Sequence, residues 1–171
     1  MQTPSIQTPS AGIVILHPYV VRLFDIMELT KGNTFVNVEA QYRGVYALHY
    51  LVTGKTEARD EEVPLEKVLC GLPVHALLPA TPPQFSEKDF NEMKSLLEAS
   101  IAHWPALGST SSEGLRESFL LRAGLLTEHD DQWELTVERR SLDILLDTIP
   151  FSISLMKFPW MNKVLQVDWR Y

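Results

Sequence analysis

Apolar residues fall in blocks along the chain, and each block carries a period. From Ile13 the sequence is almost wholly apolar until Arg22. Pro18 fits the first turn of a helix but not its interior. Ile13 to His17 is therefore expected to be extended or a separate turn, with a helix following from about Pro18 to Leu29. Val21, Phe24 and Met27 share one side of it. Lys31-Gly32-Asn33 stops the helix, with Gly32 as a left-handed cap. A second helix is expected from Val38 to Val52. Asn37 caps it, Glu39 sits in its first turn, and Tyr42, Val45, Tyr46, His49 and Val52 form the buried stripe before Gly54. After an acidic loop, Glu57 to Glu62, a short helix from Pro64 to Cys70 has proline at its start and Gly71 behind it.

Leu72 to Phe85 contains Pro73, Pro79, Pro82 and Pro83, which impose an irregular connection. Its interleaved Val74, Leu77 and Leu78 are expected to pack on the core. Ser86 to Trp104 is the clearest helix. Ser86 and Asp89 form a shortened capping box, and Phe90, Met93, Leu97, Ile101 and Trp104 recur at three and four. Thr110 to Ala123 reads as another helix, ended by Gly124. Leu125–Thr127 and Trp133–Glu138 flank a polar turn, Glu128 to Asp131, as in a hairpin. A short helix from Leu142 to Ile149 precedes Pro150. Phe151–Phe158 and Val164–Trp169 read as two final strands. The expected class is α+β, a helical body with a small antiparallel sheet in the C-terminal third.

At 171 residues, with 45% hydrophobic and 22% charged side chains, the chain fits one domain with a real core. Residues 1–11 read as a flexible lead-in and 12–171 as a single globular domain. The twin Thr-Pro-Ser phrases at Thr3 and Thr8 make that lead-in polar and extended. A net charge of −7 opposes nucleic-acid phosphates, and the basic clusters are as short as Arg139-Arg140. One cysteine allows no internal disulfide, and no apolar run reaches transmembrane length.

Candidate chemistry is sparse. Cys70 and His75 have no second close pair, which argues against zinc. His17 and His49 fit core histidines, and His103 fits a helix end facing the negative dipole terminus. Cys70 stands at a helix C-terminus, where that dipole raises a thiol pKa, so it is expected to be buried and inert. Glu113 and Glu117 lie at i, i+4, but Arg116 and Arg122 offer them simple ion pairing. No nucleophile elbow or phosphate loop is present in the sequence. The expectation is therefore no catalytic residue, no cofactor and no metal. The unusual feature is the late turn Phe158-Pro159-Trp160-Met161. Turns normally carry Gly, Asn or Asp, so large apolar groups there either fold onto the core or anchor a partner. These four residues are the candidate partner-binding site.

Several phrases occur in a familiar order. They include Gly12-Ile13-Val14-Ile15-Leu16-His17-Pro18, Tyr50-Leu51-Val52-Thr53-Gly54, Leu69-Cys70-Gly71-Leu72-Pro73, His103-Trp104-Pro105-Ala106-Leu107, Glu113-Gly114-Leu115-Arg116-Glu117-Ser118-Phe119-Leu120 and Lys157-Phe158-Pro159-Trp160-Met161. Together, from Gly12 to Trp169, they resemble the C-terminal domain of tape-measure proteins of contractile injection systems. The resemblance implies a non-enzymatic assembly protein that lies in the tube lumen and takes part in setting tube length. It implies protein partners in the tube, spike or hub, with assembly in the cytoplasm. Even wholly helical, the chain would reach only about 260 Å at 1.5 Å per residue, so the expected role is an end anchor rather than the ruler. The alternatives are a generic interaction module, such as a tube-capping protein, and a small hydrolase.

Overall fold

The computed structural model describes residues 4–169. Strand β1 (Ser5–Thr8) opens the fold, followed by a fully buried 3-10 turn, Ala11–Leu16. Helix α1 (His17–Ile26) begins at Pro18's turn and ends earlier than its apolar pattern implied. Glu28, at φ 61°, takes the left-handed position, and Leu29 and Glu28 donate back to Phe24 and Asp25 in a Schellman closure. The chain then forms a hairpin of β2 (Thr30–Lys31) and β3 (Thr34–Phe35), with Gly32 and Asn33 both at positive φ. Gly32 is thus left-handed as expected, but in a two-residue hairpin turn rather than a helix cap.

Helix α2 (Val38–Thr53) has the expected start and stop. Asn37 Oδ1 accepts from the Ala40 N–H at 2.7 Å, and Gly54 closes it at φ 75°. Its burial runs almost all round from Gly44 to His49, because α2 is the central helix rather than a surface one. Helix α3 (Pro64–Leu69) is buried along its whole length. Helix α4 (Glu87–Ala102) carries the reciprocal Ser86–Asp89 capping box. The helix expected over Thr110 to Ala123 is shorter. It comprises α5 (Ser112–Leu115), which widens to π spacing over Arg116–Leu120 before the backbone turns out at Leu121.

Four further strands follow: β4 (Gly124–Glu128), β5 (Gln132–Val137), β6 (Leu155–Met156) and β7 (Val164–Asp168). The segment before β6 includes an eight-residue 3-10 stretch, Ser141–Thr148, where an α-helix was expected. The strand expected over Phe151–Phe158 contracts to two residues.

The five-stranded sheet has the order β1-β4-β5-β7-β6. The α+β class holds, and two details of the sheet differ from expectation. β5 and β7 run parallel, so the sheet is mixed. The long connection through the 3-10 stretch and β6 carries the chain back to the start of the sheet, which a hairpin cannot do. The second difference is β1. Its residues belong to the expected lead-in, yet they pair with β4 in the register Ser5↔Thr127 to Thr8↔Gly124. Alternating Leu126, Trp133, Leu135, Val137, Leu165 and Val167 face the helices, while Leu125, Thr136 and Gln166 face outward. The buried turn Ala11–Leu16 runs between the sheet and α2. A Cβ on Gly12 would lie 1.7 Å from the Phe119 carbonyl oxygen, so only glycine allows that crossing.

Candidate partner-binding site

The turn joining β6 to β7 is closed by the Met161 N–H donating to the Phe158 carbonyl at 3.0 Å, with Pro159 at the position a β-turn favours. Phe158 and Met161 are buried, at 4% and 5% exposure. Trp160 is half-buried and Pro159 exposed. Of the two destinations open to these side chains, Phe158 and Met161 take the core.

Trp160 lies back on an aromatic cluster, with ring centroids 5.0 Å from Phe35, 5.3 Å from Phe158 and 5.6 Å from Phe24. Its indole N–H donates to the Leu69 carbonyl at 2.7 Å. That carbonyl is one of those a helix C-terminus leaves unpaired, so Trp160 caps α3. Gln41 does the same for the next carbonyl, Cys70, at 3.1 Å. Gly71 follows at φ 76°, and a Cβ there would come within 2.8 Å of the Trp160 carbonyl oxygen. The turn and the end of α3 therefore fit together backbone to backbone.

Two features adjoin the turn, one apolar and one mixed. Val36 and Val38 are exposed at 52% and 60%, immediately after Phe35, whose ring touches Trp160. Beside Gly71 and Met161 a hollow of about 290 Å³ is lined by Leu72, Val74, His75, Trp133 and Lys163. Lys163 is held at its rim, donating to Glu128 at 2.9 Å and to the His129 carbonyl at 2.8 Å.

The other candidate residues are placed singly. Cys70 is fully buried, and burial first, then neighbouring Glu66, pushes its thiol well above the ordinary range. His75 is exposed. His17 Nε2 meets the Ser152 carbonyl at 2.8 Å, and buried His49 Nε2 meets that of Glu57 at 2.9 Å; burial lowers both imidazoles. His103 Nδ1 bonds the Tyr19 hydroxyl at 3.0 Å. Glu113 pairs with Arg116 as expected. Arg116 itself is buried and donates to the Tyr50 and Leu51 carbonyls, capping the end of α2 with positive charge. Arg122 does not reach the glutamates. It pairs with Asp143 at 2.8 Å, both side chains fully buried. Asp143 also accepts from Trp169 Nε1 and the Arg140 N–H. Burial works to raise the Asp143 carboxyl, and these donors together hold it below its usual range.

The reading of the sequence passed over Glu66, which is fully buried on α3. A charged residue inside a helix flanked by Val63, Leu65, Val68 and Leu69 was its only signal. No group of three or more potential metal ligands occurs among the described residues, and no described helix is long and apolar enough to cross a membrane.

The chain matches a family model described as contractile injection system tape measure protein over residues 2–169. No curated protein and no solved structure matches it.

Proposed function

The chain belongs to the contractile injection system tape measure protein family, and we propose that it serves there as a non-enzymatic end anchor of the ruler that sets tube length. The observation that carries this reading is the family match over nearly the whole chain, combined with the compact fold. The longest helices, α2 and α4, have 16 residues each, about 24 Å at 1.5 Å per residue. A fold with such short rods does not measure a tube. It suits a plug held by protein partners at one end, and by analogy with tailed phages we assign it to the spike or hub end. The domain is assembled in the cytoplasm and retained in the tube lumen.

The contact face in this proposal is the β6–β7 turn with its surroundings. Pro159 and the outer edge of Trp160 meet the partner together with Val36 and Val38, while Phe158 and Met161 support them from the core. Apolar groups of this kind, rimmed by polar residues, suit a protein contact.

The test is a paired substitution, Val36→Asp with Val38→Asp, introduced into the particle's own copy. Both side chains are exposed, so stability should change by no more than about 0.5 kcal/mol per site. Affinity capture should then lose the spike or hub proteins, and the tubes should lose their uniform length. Normal capture and uniform tubes would overturn the assigned face. Capture by cap proteins alone would overturn the assigned end.

A further inference from the structure

Glu66 has no place in the contact face, and its surroundings are unusual. It is fully buried in the middle of α3. One carboxyl oxygen, Oε1, accepts from the Ser10 hydroxyl. The other, Oε2, is buried without a partner among the described residues. Lys67 turns away to Asp60 at 2.8 Å, so its charge acts on Glu66 only from a distance and is the weakest of the effects there. Thr8 Oγ1 lies 3.2 Å from Ser10 Oγ and extends the polar chain into β1. Glu62, in the preceding turn, adds negative potential, and Cys70 lies one turn further along α3. From α2, Tyr46 feels the charge of Asp60, and His49 feels that of Glu62 while bonding the Glu57 carbonyl. No positive charge from α2 or β1 therefore compensates Glu66. A carboxyl in such a place is held as the neutral acid. Burial pushes it up to about 8, against the lowering effect of the Ser10 hydroxyl.

We propose that Glu66 is a protonation latch for strand β1. As the neutral acid it is tolerated in the dry interior beside Ser10 and leaves Ser5–Thr8 seated on β4. Once ionised, the carboxylate needs water, and of the elements around it the lead-in, which touches it through Ser10, is the least anchored. α3 is buried along its length and α2 from Gly44 to His49, whereas β1 is four residues long and lies at the edge of the sheet. Prolines at positions 4 and 9 bracket it. A short edge strand is the cheapest element of a sheet to release. Its departure bares the edge of β4 from Gly124 to Thr127, a row of backbone donors and acceptors able to take a strand from another chain.

The experiment is amide hydrogen exchange on the intact chain from about pH 6 to about pH 9.5, with base catalysis of exchange divided out. Peptides covering β1 and β4 are read beside α2, whose greater protection at every pH marks release of the strand as local. In the natural protein, protection of β1 and β4 should fall about tenfold for each pH unit as the pH climbs to about 8 and level off above it. In Glu66→Gln, which cannot ionise, the loss should be absent. Unchanged protection in the natural protein, or an equal loss in Glu66→Gln, overturns the latch. Should Glu66→Gln not fold, carboxyl-carbon NMR of the natural protein decides. A glutamate titrating near pH 8 together with the β1 amides supports the latch. Glutamates all titrating in the ordinary range of about 4 to 5 overturn it.

Discussion

Truncating Trp160 to alanine removes an indole that rests on Phe24, Phe35 and Phe158 and caps α3 through Leu69. A tryptophan buries roughly 150–250 Å² when enclosed. Trp160 is half-buried, so roughly 100 Å² of contact is at stake, worth about 2.5 kcal/mol at 25 cal/mol per Å². The lost hydrogen bond adds about 1 kcal/mol, since water can reach the Leu69 carbonyl once the ring is gone. The expected destabilisation is therefore about 3.5 kcal/mol, near the low end for a truncated core aromatic. In a domain of this size that lowers the melting temperature by about 7–14 °C. Urea unfolding of the full chain measures it as a lower midpoint at an unchanged slope. Trp160→Phe keeps part of the stacking but removes the donor and some ring area, so its loss should lie between about 1 kcal/mol and that of Trp160→Ala. If Trp160→Ala costs less than about 0.5 kcal/mol, the value of a surface change, the turn does not rest on the core and the packing argument is wrong.

The other expectations concern the interior. Glu66 has a folded pKa of about 8 against an ordinary value of 4.5, so the folded chain holds an extra proton between them. Its contribution is fully present below pH 4.5 and is lost as pH rises through about 8, with a slope of about 1.4 kcal/mol per unit and a total near 5 kcal/mol. Denaturant melts of Glu66→Gln across this range should be flatter by that amount. Arg122→Met leaves Asp143 buried and unpaired and should cost about 3–5 kcal/mol; removing both charges together with Asp143→Leu should recover much of the loss in the same melts. Trp104 is 2% exposed, 4.9 Å from Phe119, and donates to Thr148 and Leu145. Trp104→Ala should cost about 3–5 kcal/mol by urea midpoint.

Local chemistry was legible in the sequence wherever a residue acts within a few positions of itself. Asn37 and Gly54 bound α2, Ser86 and Asp89 start α4, and Gly71 ends α3, because caps and left-handed turns are satisfied by neighbours in the chain. The β4–β5 hairpin and the α+β class follow from alternation that any sheet with one buried face must show. The ordered phrases from Gly12 to Trp169 carried the family, which the match over residues 2–169 shows.

Tertiary structure decided what depends on distant partners. Alternation is the same for parallel and antiparallel strands, so the direction of β7 against β5 required the path of the chain between them. The polar lead-in gave no sign that β4 had a free edge for it to fill. The apolar turn at Trp160 had two destinations of equal merit in sequence, and its bond to a C-terminal carbonyl of α3, 91 residues away, forms only in the folded chain. Glu66 and Arg122 read as ordinary helix charges. Their burial, one beside the Ser10 hydroxyl and the other beside Asp143, exists only once α3, the lead-in and the 3-10 stretch pack, since desolvation is a property of the assembled interior.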